Sequence, residues 1–288
     1  MTKNKKDLPS TPAKGTKGFR YTGRTDLTPE EKRIEDGVGR YFADNLPALI
    51  RRYQQRFGHI IDRNNAQELY APYAKNRESR QELSLATHEP AGALADEVYF
   101  ALVAKQAPQD KNIVLFNAGG QGSGKTTSLR LSGKADRAFI VMDGTMQDFE
   151  KGCRNIDLAF QQGKLVHINF VYCPFRKAVE HIIRRASHVQ GGRVVNIKRA
   201  AKGHFHALEN LFKLIEKYGN RDGFTFTVVD NSEENPKPMA LNELRAKRYP
   251  SIDDLERDGY VVVDEVFASF RAKDKSLTEG LHQRLKGN

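Results

Sequence analysis

The feature that most constrains the fold of this 288-residue chain is a short loop, Gly119-Gly120-Gln121-Gly122-Ser123-Gly124-Lys125-Thr126. Before it runs Ile113-Val114-Leu115-Phe116, a continuous apolar stretch of the kind found in strands buried on both faces. After it, Thr127-Ser128-Leu129-Arg130-Leu131 reads as the opening of a helix. The loop therefore fits G-x-x-x-x-G-K-S/T in the strand, loop and helix context that the motif requires. Its glycines let successive backbone N–H groups converge on phosphate oxygens, and the helix presents its positive end to the same anion. Gly119 through Thr127 are the expected binding set for ATP or GTP. Lys125 is expected on the β and γ phosphates, and the Thr126 hydroxyl on Mg²⁺.

Around this loop the pattern alternates. Apolar runs at 138–142, 165–172 and 224–229 are separated by helical periodicities carrying Phe149, Cys153, Ile156 and Phe160, then 178–185, then Phe205, Leu208, Leu211 and Ile215. Such alternation predicts an α/β fold: a mainly parallel sheet of the P-loop NTPase type with flanking helices, its ligand site beyond the carboxyl ends of the strands. Upstream, Thr28-Pro29-Glu30-Glu31 reads as a capping box that starts a helical run divided at Pro47, and Thr87 starts another to about Lys105. The expected organisation is a disordered basic tail over 1–25, a helical region over 26–108, the nucleotide-binding core over 109–235, and a charged, mostly helical extension over 236–288. Tyr260-Val261-Val262-Val263 is open between helix and strand.

Composition narrows the partners. Hydrophobic residues make up 39% of the chain, which excludes a purely disordered or fibrous protein. Lysine and arginine number 47 against 36 acids, a formal charge of +11, so anions are attracted: nucleotides, small anionic metabolites, and nucleic acid through the basic tail. Two cysteines without C-x-x-C spacing predict neither disulfide nor zinc. No apolar run reaches the length that crosses a bilayer, and a soluble, cytoplasmic protein is expected.

Three further features bear on chemistry. Asp143 ends the run 139–142, where a carboxylate would face the loop and either organise Mg²⁺ or accept the proton of a substrate hydroxyl. Capping the next helix is the other reading for Asp143, and Thr145 suits that role equally. From Arg176 to Lys202, eight basic residues meet the single acid Glu180. Within that stretch Arg184 or Arg185 and Arg193, beside Gly191-Gly192, are placed to stabilise a transferred phosphoryl group, while Arg176, Lys177, Lys198 and Arg199 read as a solvated face. His181, His188, His204 and His206 show no ligand spacing and read as surface or core histidines.

From about Tyr70 to Asp230 the chain resembles the zeta-toxin-like P-loop kinases, which are UDP-N-acetylglucosamine kinase-like. The resemblance is carried by Thr87-His88-Glu89-Pro90-Ala91, the Ala118-to-Thr127 loop, Met142-Asp143-Gly144-Thr145, Val171-Tyr172-Cys173-Pro174, Gly192-Arg193-Val194-Val195, His204 and Val229-Asp230-Asn231-Ser232. It implies that Lys125 and Thr126 take the phosphate and Mg²⁺ roles and that Arg185 and Arg193 are the phosphate-stabilising arginines. Zeta toxins place their proton-accepting aspartate in an element between the P-loop helix and the acidic-Gly-Thr turn. Here only Leu129 to Ala138 intervenes, too short for that element, so either Asp143, the leading base, accepts the proton, or the substrate hydroxyl is activated from elsewhere, or transfer to a substrate has been lost. The implied activity is transfer of the γ phosphate of ATP or GTP to a nucleotide-linked metabolite of the UDP-amino sugar type or another, with toxicity and an antitoxin partner as corollaries. The competing reading is a nucleotide-gated nucleic-acid-binding or assembly protein that binds or hydrolyses ATP without phosphorylating a metabolite.

Overall fold

The computed structural model describes residues 19–187, 194–270, 274 and 277–287, and the chain divides into two compact units. The first comprises the chain up to Gly58 together with Arg63–Val98. It is helical. Helix α1 (Pro29–Asp44) opens on the capping box: Glu31 N–H donates to Thr28 Oγ1 at 3.2 Å and Thr28 N–H donates to the Glu31 carboxylate at 2.8 Å. Helix α2 (Leu46–Phe57) restarts after Asn45 with Pro47 in its first turn, the division that proline dictates.

Within the stretch expected as a basic tail, residues 19–25 are ordered. Phe19 is buried edge-on against Tyr21 and Phe42, and the Arg24 N–H donates to the fully buried Glu35 carboxylate at 3.1 Å. Two aromatic rings within three positions supply anchoring area that the average composition of the segment conceals.

The second unit contains His59–Asp62 and the chain from Tyr99 onward. The expected helical region over 26–108 is therefore interrupted: β1 (Ile60–Ile61) leaves it to join the sheet. Helices α3 (Arg63–Gln67), α4 (Ala71–Ala74), α5 (Arg77–Leu83) and α6 (His88–Val103) follow in the chain. Then come β2 (Ile113–Ala118), α7 (Lys125–Ser132), a 3-10 turn at Ala135–Arg137, β3 (Ile140–Asp143), α8 (Phe149–Gln161), β4 (Leu165–Tyr172), α9 (Phe175–Ser187), α10 (Ile197–Tyr218) and β5 (Phe224–Asp230). The remainder is β6 (Lys237–Pro238), α11 (Leu241–Arg245), α12 (Ile252–Phe270) and α13 (Glu279–Lys286).

The sheet has the order β1-β3-β2-β4-β5-β6, parallel throughout except for the short edge pair β5 and β6. This is the expected α/β architecture. Strand β2, which feeds the loop, lies between β3 and β4, so the residues ending those two strands flank the loop. Pro238 sits on the edge strand, where a missing N–H costs no ladder bond. Tyr260–Val263 is helical within α12: Val262 and Val263 are buried against α9 and α10, and helical periodicity prevails over β propensity. The extension over 236–288 is thus part of the second unit, with Phe267, Leu281 and Leu285 joining Ile182, Ile183 and Ile197 in one cluster.

Ile168, at the centre of β4, is fully buried. Replacing it with alanine is expected to lower the free energy of unfolding by roughly 2–5 kcal/mol, read from urea denaturation.

Candidate functional site

The loop leaves β2 at Ala118 and enters α7 at Lys125, with Gly122 and Gly124 at φ of +76° and +86°. Side-chain-bearing residues rarely adopt that region, so the curl of the loop depends on glycine. The Lys125 ammonium folds back over it and donates to the Gly119 carbonyl at 2.9 Å and the Gly120 carbonyl at 2.8 Å. The next three carbonyls are held from outside the loop. His204 Nε2, from α10, donates to the Gln121 carbonyl at 2.7 Å; His181 Nδ1, from α9, to that of Gly122 at 2.8 Å; and Asn231 Nδ2, just past β5, to that of Ser123 at 2.8 Å. Asn231 is itself fixed, its N–H bonded to the Tyr172 carbonyl at 2.8 Å and its own carbonyl receiving the Lys177 ammonium at 3.1 Å.

Beside the loop, Thr126 Oγ1 donates to Asp143 Oδ2 at 3.2 Å, and Asn117 Nδ2 donates to Asp143 Oδ1 at 3.1 Å. Parallel register extends this contact into a polar row. Asn117 stands opposite Asp143 and Asn169, and Asn169 opposite Thr227. Asn169 Nδ2 donates to Asn117 Oδ1 at 2.9 Å, while the Lys134 ammonium donates to Asn169 Oδ1 at 2.7 Å and to Thr227 Oγ1 at 2.6 Å. The bonds from Lys134 through Asn169 and Asn117 run in one direction, with Asp143 as the terminal acceptor. Beneath the row, burial and then the Lys134 charge push the His167 imidazole down to about 4, so it is neutral near pH 7.

Electrostatics ties these groups together. Burial pushes the Lys125 ammonium down from its ordinary value; Asp143 and Asp62 draw it back up, and Arg185 opposes them. Burial likewise pushes the Asp143 carboxyl up, countered by Lys125, Thr126 and Asn117.

Of the residues singled out from the sequence, the structure brings together Gly119 through Thr126, Asp143 and Arg185. Thr127 is exposed on the first turn of α7. Between Arg184 and Arg185, it is Arg185 whose charge reaches Lys125. Arg193 lies outside the described residues, as does His188. Asp143 is no helix cap, and neither is Thr145: Asp148 caps α8, accepting from the Lys151 N–H at 2.9 Å. Arg176 is exposed, as a solvated face requires, and pairs there with Asp258 and Glu265 of α12 at 2.7 and 2.6 Å, whereas Lys177 is part of the loop's support.

The sequence reading overlooked Asp62. Strand β1 pairs Ile60 with Val141 and Ile61 with Met142, so Asp62, one step further, comes level with Asp143 at the carboxyl edge. The signal was there in His59-Ile60-Ile61-Asp62, two apolar residues closed by an aspartate as in Val141-Met142-Asp143. His181 and His204 were passed over because carbonyl partners leave no spacing signature. The Gly120 backbone makes room for His204: a Cβ there would fall 2.1–2.3 Å from the imidazole.

A parallel sheet whose central strand runs through a glycine loop into a helix that begins with lysine and threonine is the architecture of a P-loop nucleotide-binding protein. Residues 134–236 match the zeta toxin family model, a stretch that begins after the loop and so bears on the family independently of it. The resemblance to zeta toxins, a family of P-loop phosphotransferases, holds over that stretch. A solved chain described as belonging to the PezAT chromosomal toxin-antitoxin system of Streptococcus pneumoniae is 13% identical, with 85% of this chain and 99% of that chain covered. Its TM-score of 0.40 is too low to say anything further about this molecule. None of the curated proteins matches the sequence. Among the described residues, no helix is long and apolar enough to cross a membrane, and no three or more His, Cys, Asp or Glu side chains are grouped to hold a metal.

Two outcomes follow from the burial of His204, which leaves only 4% of it exposed. Burial pushes its imidazole down to about 4, below the ordinary value of 6.5. The unfolded chain then binds the extra proton between those values, so this contribution to stability is complete above about pH 6.5 and falls away as the pH drops toward 4. Urea denaturation from pH 7 to pH 4.5 is expected to show a loss that is shallower in His204→Gln. Gly120→Ala, by driving a methyl group into the ring, is expected to cost about 1–3 kcal/mol in the same assay.

Proposed function

We propose that the protein is a nucleotide-dependent kinase that transfers the γ phosphate of ATP or GTP to a small nucleotide-linked metabolite of the UDP-amino sugar type. The observation that carries this reading is the meeting, at one sheet edge, of the lysine-bearing loop with two carboxylates from neighbouring strands, Asp143 and Asp62. A nucleotide-binding protein that did no chemistry would need one of these for its cation and would have no use for the other.

In this reading Lys125 and the loop amides bind the β and γ phosphates. Thr126 and Asp143 supply the hard oxygen donors that suit Mg²⁺, which keeps several waters and takes one or two carboxylates together with phosphate oxygens. A cation held there would neutralise charge on the polyphosphate. Asp62, one strand further from the loop and level with Asp143, accepts the proton of the acceptor hydroxyl, while Asp143, bonded to Thr126, serves the cation. Asp62 thus takes the role of an element for which the Leu129–Ala138 segment is too short: the edge strand beyond β3 comes from before the loop instead of after it. Arg185 faces the same charge and stabilises the departing phosphoryl group, joined by Arg193. Phosphorylation of an essential metabolite would make the protein a toxin, and an antitoxin that occludes the loop is then its expected partner.

The test is incubation with labelled ATP or GTP, Mg²⁺ and a metabolite extract. A labelled product that disappears in Lys125→Ala supports the reading; hydrolysis of nucleotide with no labelled acceptor contradicts it. Asp62→Asn is expected to reduce kcat by roughly 10²–10⁴-fold with ATP binding retained. Asp143→Asn is expected to raise the Mg²⁺ concentration needed for half-maximal rate. The reverse pattern would transfer the base role to Asp143.

A further inference from the structure

We propose that His204, His181 and Asn231 are positioning residues for the nucleotide, acting through the loop without touching the ligand. Each holds one of three consecutive carbonyls, Gln121, Gly122 and Ser123, and the three donors come from α10, from α9 and from the segment after β5. The proposal rests on the reading that this loop binds a polyphosphate.

The argument follows from the peptide group. In a planar trans peptide the C=O of one residue and the N–H of the next point in opposite directions. Drawing the Gln121 and Ser123 carbonyls toward the helices therefore turns the N–H groups of Gly122 and Gly124 the other way, toward the concavity where phosphate oxygens are bound, while the hold on the Gly122 carbonyl fixes the peptide whose N–H, that of Ser123, donates to the Gly120 carbonyl at 3.3 Å. Left alone, a loop this rich in glycine samples many backbone states, and ordering them is an entropic cost at the moment of binding. With the carbonyls already fixed, that cost falls on folding instead of on nucleotide capture.

The remaining contacts fit this role. Lys125 covers the Gly119 and Gly120 carbonyls, so the run of five from Gly119 to Ser123 is fully engaged. His204 is held edge-on by Phe175, and Asn231 by Lys177 and the Tyr172 carbonyl, so the donors are themselves rigid. Burial keeps His204 neutral, which limits it to one ring N–H, and the Gln121 carbonyl takes it.

The two histidines use different nitrogens, and this gives a test that general destabilisation would not mimic. Glutamine places its amide nitrogen near the Nε2 position, asparagine near Nδ1. His204→Gln and His181→Asn are therefore expected to keep the Kd for Mg²⁺-ATP, measured by calorimetry on the full chain, within about threefold of the parent. His204→Asn, His181→Gln and Asn231→Leu are expected to weaken it about tenfold, the scale of one lost hydrogen bond. Backbone ¹⁵N order parameters of Gly122–Gly124 without nucleotide provide the second readout, expected to fall below about 0.6 in the weak binders alone. Equal affinities across the set, or weakening that simply follows each variant's melting temperature, would overturn the proposal. If the parent binds neither Mg²⁺-ATP nor Mg²⁺-GTP, the kinase reading fails, and the proposal falls with it as a statement about nucleotide; the order parameters then report separately whether the three donors order the loop.

Discussion

Everything at this site depends on the direction in which a few peptide planes face. Phosphate is bound by backbone amides, and amides have no side chain through which sequence can aim them. The chain meets this constraint by occupying the opposite side of three planes, where His204, His181 and Asn231 hold the carbonyls of Gln121, Gly122 and Ser123. The helices around the sheet therefore do more than cover apolar surface. Helices α9 and α10 carry the histidines, and α12 packs its valines against both, so the cluster they share, which meets the loop through Ile182 beside Gly122, sets the attitude of the donors.

Charge is arranged by the same topology. Strands β1, β3 and β2 end side by side, which puts Asp62, Asp143 and the lysine of the loop in one electrostatic neighbourhood. Asp143 is the end point of donors that pass across the sheet from Lys134 through Asn169 and Asn117, two asparagines that are completely buried. Buried polar groups of this kind are tolerated only when their partners are in place, so the row also restricts the register of four strands. One set of residues thus serves both the sheet and the site.

The α/β alternation, the phosphate-binding loop, the capping box at Thr28 and the division at Pro47 were all legible, because each is a local pattern of period, glycine or cap. Strand β1 was not, since two residues are too short for any periodicity, and Asp62 was lost with it. The ordered stretch from Phe19 was hidden by its basic surroundings. Tyr260–Val263 was ambiguous because β-branched residues on a buried helix face look like a strand until the partner helices are known. Among the basic residues after Tyr172, sequence alone could not separate Arg185, whose charge reaches Lys125, from Arg176, which pairs with α12.

By itself, then, the sequence determined that a glycine loop would join a buried strand to a helix that opens on Lys125, since every element of that motif lies within a few residues of the next. Only the tertiary structure decided which carboxylates stand beside the loop and which side chains hold its carbonyls. Asp62 precedes Lys125 by more than sixty positions and Asn231 follows Ser123 by more than a hundred. Contacts across such separations leave no trace in local pattern, because they arise from strand order in a parallel sheet, which brings the ends of distant segments together along one edge.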